Sequence, residues 1–184
     1  MEFINKLESI ALGWVKNVPH LPVAGQKWLA LNVWWLALVG AILAGIGGLF
    51  ALGSLFQLIA LLGTVANSYY VVQSVTSWAI LSSIVSIVFL AVEVLLLGLA
   101  VQPLKARQKK GWVLLFALLL VNALSVVVNA FLTFSFGGFI VTIIFGAIGL
   151  AIGGYFLFEI HGQFAHSTKA ATTPVVKAKT TKKA

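Results

Sequence analysis

The chain has no cysteine, and only four of its 184 residues are acidic. Without cysteine there are no disulfides, no thiolate metal sites and no S-acylation. Charged residues of both signs make up 9% of the chain, against about 25% in a soluble domain. That is too little charge to cover a water-soluble fold of this size. The N-terminus lacks the unbroken apolar stretch of a cleavable signal, because Asn5, Lys6, Glu8 and Ser9 interrupt it.

Apolar residues are abundant instead. They make up 61% of the chain and fall in long runs, which points to lipid surroundings rather than to a large soluble core. The expected fold class is all-α: a polytopic membrane protein with four transmembrane helices and an N-terminal amphipathic interfacial helix. A single bundle is expected, not several domains.

Residues 1–22 carry the amphipathic segment. Phe3, Leu7, Ile10, Ala11, Trp14, Val15 and Val18 share one helical face, with polar residues opposite, and Pro19 and Pro22 end the pattern. Such a helix can lie in the membrane interface. The bundle is expected over 23–165, with spans near 28–50, 78–101, 111–133 and 138–160. A crossing needs about 20 apolar residues, and each stretch supplies them. Residues 51–65 are apolar but too short for a comfortable separate crossing. Fused to the first span they would make a helix roughly 54 Å long, against a bilayer core of about 30 Å. They are therefore read as an outer interfacial or re-entrant segment. The tail, 166–184, is rich in Thr, Ala and Lys and is expected to be disordered.

Every Lys and Arg lies in the N-terminal stretch, the loop between the second and third spans, or the tail. With four spans these three regions share one side, which the retention of positive charge makes the cytoplasm. The expected location is the plasma membrane, with both termini inside. Trp28, Trp78 and Trp112 each fall at an expected membrane boundary, where amphipathic rings prefer to sit.

Polar residues within the spans are few. Glu93 is the one acid well inside a span. An ionised group there is costly, by about 2.5–3.5 kcal/mol at mid-helix, which favours a protonated carboxyl. In an antiparallel hairpin, residues at one depth have position numbers that add to a constant. That rule pairs Glu93 with Asn122, Ser86 with Asn129 and Ser82 with Thr133. Asn122, Ser125, Asn129 and Thr133 share one face of the third span, and Ser82, Ser86 and Glu93 share one face of the second. The two stripes are expected to face each other. They serve either as interhelical hydrogen bonds, worth about 0.6 kcal/mol each, or as a proton or solute path through Glu93.

Small residues form two further patterns. Gly40, Ala44 and Gly48 recur every four residues in the first span, and Gly149 and Gly153 make a GxxxG pair in the fourth. These are expected to let helices approach closely, most simply the first span against the fourth, with a homodimer contact as the alternative.

No Ser–His–carboxylate set lies at one depth, and no glycine-rich run precedes a Lys-Ser or Lys-Thr. His161 and His166 are five apart and have few carboxylates near them, so neither metal nor cofactor is expected. Lys105, Arg107, Lys109 and Lys110 in the loop, and Lys177, Lys179, Lys182 and Lys183 in the tail, are candidates for anionic lipid headgroups, at about 1 kcal/mol per residue. Charge alone would let the tail touch nucleic acid. No aromatic residue is interleaved with its lysines, so base stacking is not indicated and this is the weaker reading.

The run Pro103-Leu104-Lys105-Ala106-Arg107-Gln108-Lys109-Lys110-Gly111-Trp112 and the ending Tyr155-Phe156-Leu157-Phe158-Glu159-Ile160 resemble a group of small, uncharacterised bacterial integral membrane proteins. In these, a Pro-Leu-Lys-Ala loop and a Gly-Trp entry precede the third helix. The resemblance covers mainly the second half of the chain and implies four helices. It implies no activity and no functional residue.

The expected function is non-enzymatic: a subunit, scaffold or membrane-organising component, with a homo-oligomer or another membrane protein as partner. The alternative is a small homo-oligomeric transporter or channel in which Glu93, Asn122 and Asn129 line the path.

Overall fold

The computed structural model describes residues 18–64, 70–133 and 135–165, together with residues 6, 10 and 13. The amphipathic segment expected over 1–22 lies mostly outside the described residues, and the tail, 166–184, lies outside them entirely. The described residues form α1 (Val23–Thr64), α2 (Tyr70–Lys105), α3 (Lys109–Leu132), α4 (Phe136–Glu159) and the short α5 (His161–Ala165). The first four are each long and apolar enough to cross a membrane. No strand occurs among the described residues. The chain is thus an all-helical, multi-pass membrane protein by its architecture.

Each long helix packs on its sequence neighbour: α1 on α2, α2 on α3, and α3 on α4. The joints explain the order. After α2, the Arg107 N–H donates to the Leu104 carbonyl at 3.0 Å and the Gln108 N–H to the Pro103 carbonyl at 2.8 Å. Arg107 has φ 51°. This is a Schellman closure with arginine in the left-handed position usually held by glycine. It reverses the chain within three residues. Before α4, the Ser135 hydroxyl accepts from the Gly138 N–H at 3.1 Å, a serine N-cap.

Two expected boundaries need correction. Residues 51–65 do not form a separate outer segment: α1 runs unbroken to Thr64 over 42 residues, about 63 Å. No proline lies between residues 50 and 64, and a helix in apolar surroundings satisfies its backbone only by continuing. α2 likewise begins at Tyr70 rather than 78 and is 36 residues long, about 54 Å. α3 and α4 have 24 residues each, about 36 Å. The loop joins the end of α2 to the start of α3, and the contacts described below tie the start of α1 to the end of α4. The surplus of α1 and α2 therefore extends beyond α3 and α4 at the opposite end.

The core is concentrated at the end that carries the loop, the start of α1 and α5. Trp112, Leu104, Ile160 and Phe164 are almost fully buried there, with Ala30, Ala37, Leu97, Ala100 and Phe116 around them. Trp112 is stacked on Phe116 at 5.4 Å and meets Phe158 and His161 edge-on. Its indole N–H donates to the Leu157 carbonyl at 2.8 Å. Trp112 was expected at the lipid interface and is instead the centre of the core. Trp28 and Trp78 do stand exposed. Trp112 can pack this deeply because Gly111 before it has no side chain: a Cβ there would lie 2.7 Å from the Leu104 backbone nitrogen.

Candidate functional site

Three groupings of polar or open surface stand out. The first is built on Glu159, the last residue of α4, whose side chain is fully buried. Its carboxylate accepts from the Leu21 N–H at 3.0 Å and from the Gln26 side-chain amide at 2.9 Å, and it meets His20 Nδ1 at 2.7 Å. The Gln26 amide also donates to the Leu21 carbonyl at 3.1 Å. One turn earlier on α4, the Tyr155 hydroxyl donates to the Pro19 carbonyl at 2.9 Å. Tyr155 and Glu159 thus clamp residues 19–21 and hold the start of α1 against the end of α4. A buried carboxylate is stable only when its acceptor sites are filled. Here they are filled from the N-terminal side of the chain.

Sequence reasoning assigned Glu159 no role. A signal was present: a carboxylate at a helix C-terminus opposes the helix dipole, so such a residue calls for donors from elsewhere. Its partners, well over a hundred positions away, could not be named. His20 is about half exposed and oriented by Glu159.

The second grouping is the polar seam between α2 and α3. The Ser86 hydroxyl donates to the Asn129 side-chain oxygen at 2.9 Å. The Asn129 amide donates to the Ser125 hydroxyl at 3.0 Å and to the Ser125 carbonyl at 2.9 Å. The Thr133 hydroxyl returns to the Asn129 carbonyl at 2.9 Å, and the Ser82 hydroxyl to the Ala79 carbonyl at 3.0 Å. Ser82, Ser86, Asn129 and Thr133 border a small cleft of about 350 Å³ beneath Trp78. The Trp78 indole N–H closes on the Leu132 carbonyl at 2.6 Å. Glu93 and Asn122 are not brought together in this way. Glu93 is half-buried on α2, and no hydrogen bond joins it to Asn122 among the described residues. Asn122 turns toward another space, and Glu93 lines neither that space nor the cleft.

The third grouping is that space, a crevice of about 790 Å³ between α1 and α4 with α3 behind it. Its walls are leucine, isoleucine, valine, phenylalanine, tryptophan and glycine, with Asn122 the one amide side chain among them. It corrects the expected meeting of the small-residue stripes. Gly40 lies against Leu97 of α2, 3.4 Å from where a Cβ would be, rather than against α4. A Cβ at Gly48 or Gly149 would meet nothing within 4 Å, and one at Gly153 would make ordinary contact with Leu119. Ala44 is half-buried. Gly146 is the α4 glycine in tight contact with helix α3, against Val126, while Gly138 at the start of α4 is tight against Thr133 and Ser135. α1 leans on α2 and α4 on α3, so the two stripes stay apart.

Of the headgroup candidates, Lys105, Arg107, Lys109 and Lys110 lie exposed in the loop, with the Lys105 ammonium 5.2 Å from the Trp34 ring. Lys177, Lys179, Lys182 and Lys183 lie outside the described residues. Among the described residues no group of three or more His, Cys, Asp or Glu could hold a metal ion.

Comparison with protein-family models, with curated proteins and with solved structures gives no match.

Proposed function

We propose that the chain is a non-enzymatic integral membrane protein, acting as a subunit, scaffold or membrane-organising component. The observation that carries this reading is the use to which the intramembrane polar groups are put. Ser86, Ser125, Asn129 and Thr133 spend their hydrogen bonds on one another and on the backbone, and Glu159 fastens the start of α1 to the end of α4. The polar groups thus act as joints. The proposed setting is the plasma membrane with both termini cytoplasmic. Support comes from the basic loop and Lys27, which share the end of the bundle where Glu159 lies.

A small homo-oligomeric transporter or channel is the second reading. Glu93 favours it: a half-buried acid within a span, joined to no hydrogen-bond partner among the described residues, is not explained by packing. Proton flux into proteoliposomes under an imposed pH gradient separates the two. The scaffold reading expects wild type and Glu93→Gln to match protein-free vesicles. Flux in wild type that is lost in a folded Glu93→Gln variant would overturn it in favour of transport.

A further inference from the structure

Between Lys27 and Glu93 the chain carries no charged residue. α1 fills the first part of that stretch and outruns α3 and α4. At 1.5 Å per residue, Phe56 stands about 44 Å along the helix from Lys27, and Gly63 about 54 Å. A bilayer is some 40–45 Å thick with its headgroups. A typical tilt near 20° shortens the helical distances by only about 6%. The far part of α1 therefore passes beyond the lipid, yet Phe56 is 69% exposed there and Ile59 48%. Apolar surface of this kind outside the hydrocarbon marks a contact site.

No other part of the chain is placed to cover this face. α2 packs on the side of α1 where Ala51, Leu55, Leu58 and Leu62 are half-buried. α3 and α4 are too short to reach it. The chain before α1 and after α5 joins the bundle at the basic end, across the membrane. The uncovered positions also have a spacing of their own. Ile42, Ile46, Leu49, Gly53, Phe56 and Ala60 are all exposed and recur at alternating intervals of four and three. The pattern holds from Trp35 to Gly63, the length of about four heptads. Ile46, Gly53 and Ala60 then take one seam position, and Ile42, Leu49 and Phe56 the other. A β-branched residue in the first with leucine in the second, as at Ile46 and Leu49, favours two parallel strands.

We infer that the exposed stripe of α1 pairs with the same stripe of a second copy of the chain, as a parallel coiled coil about a two-fold axis along the membrane normal. Charge placement inserts both copies in one orientation, so the two α1 helices run parallel and at one height. The stripe then meets itself in register, and with no charge on it nothing repels. Each Phe56 enters a hole formed by Gly53, Phe56, Gln57 and Ala60 of the other copy, where glycine and alanine leave room for the ring. Within the lipid such pairing has only packing to drive it. Beyond the lipid the burial of Phe56 adds the hydrophobic effect, so the overhang stabilises the pair. A charged partner surface fits this face badly, because its charges would be buried there without counterparts. The inference needs only that the protein spans a membrane, and proton flux does not bear on it.

The test is oxidative cross-linking of the full chain, sparsely reconstituted in phosphatidylcholine vesicles; it has no native cysteine to interfere. Ala60→Cys lies on the stripe and Ser54→Cys on another side of the helix, both at exposed positions. With copper phenanthroline, Ala60→Cys is expected to give a disulfide-linked dimer and Ser54→Cys none. Gly63→Cys, also on the stripe, takes its place if circular dichroism shows Ala60→Cys unfolded. Phe56→Ala is expected to weaken the dimer roughly tenfold, as loss of a buried aromatic anchor does, read by single-molecule photobleaching over a dilution series. A folded stripe variant that fails to cross-link would overturn the inference. So would equal cross-linking of Ala60→Cys and Ser54→Cys, or an unchanged dimer in Phe56→Ala. A monomer whose spin-labelled Ala60→Cys meets oxygen but not a water-soluble nickel complex would also overturn it, and would assign the face to lipid.

Discussion

Glu159 meets two opposing fields. It ends α4, where the helix dipole disfavours a carboxylate, and it sits before the first turn of α1, where the dipole favours one. The Leu21 N–H and the Gln26 amide decide the balance. Glu159→Ala leaves both donors without that acceptor and should lower stability by about 2 kcal/mol, the range for hydrogen bonds to a charged group. Hydrogen exchange at the Leu21 amide should accelerate in parallel, and unchanged exchange would show that the clamp does not hold this segment. For the seam, a double-mutant cycle on Ser86→Ala and Asn129→Ala should give a coupling of about 0.6 kcal/mol, measured by unfolding in mixed micelles. Depth in a hairpin is legible from sequence, which is why Ser86 and Asn129 could be paired. Rotation about the helix axis is a second coordinate, fixed by every neighbour at once. Asn122 has the depth expected for Glu93 but is turned toward the crevice.

Among the elements, the joint between α2 and α3 is the most sharply defined. Arg107 holds a left-handed conformation that costs a residue with a Cβ about 1–2 kcal/mol and a glycine little. Arg107→Gly should therefore stabilise the fold by about 1 kcal/mol, seen as a higher unfolding midpoint in detergent. A lower midpoint would mean that the arginine side chain compensates its backbone. Gly111 behaves in the opposite way, because the Leu104 backbone leaves no room for a methyl group. Gly111→Ala should cost about 1–3 kcal/mol by overpacking, whereas Gly149→Ala, into open space, should cost little. Equal effects of the two substitutions would contradict the close approach of α2 and α3. The glycines that recur at regular spacing are visible in a sequence. Gly111 recurs with nothing, and its role follows from the turn that folds α3 back onto α2.

For the whole molecule, one end is densely packed and the other extends outward. The core from Leu97 to Phe164 gathers where the loop, α5 and the Glu159 clamp meet, and α1 and α2 outrun α3 and α4 at the far end. The absence of native cysteine makes the topology directly measurable. Gln108→Cys in the loop and Ser135→Cys before α4, both exposed positions, should react with an impermeant maleimide from opposite sides of the membrane. In intact cells only Ser135→Cys should label, and labelling of both or of Gln108→Cys alone would reverse or refute the proposed orientation. The sequence by itself determined that four apolar helices cross a membrane, because lipid imposes length and composition on each helix separately. It also determined the basic end, because charge placement is local in the chain. The tertiary structure alone decided that α1 passes residue 50 without a break, that the small-residue stripes stay apart around a crevice, and that Glu159 joins the first helix to the fourth. Each of these depends on how helices lean and rotate against one another, which is set by contacts between residues far apart in the chain.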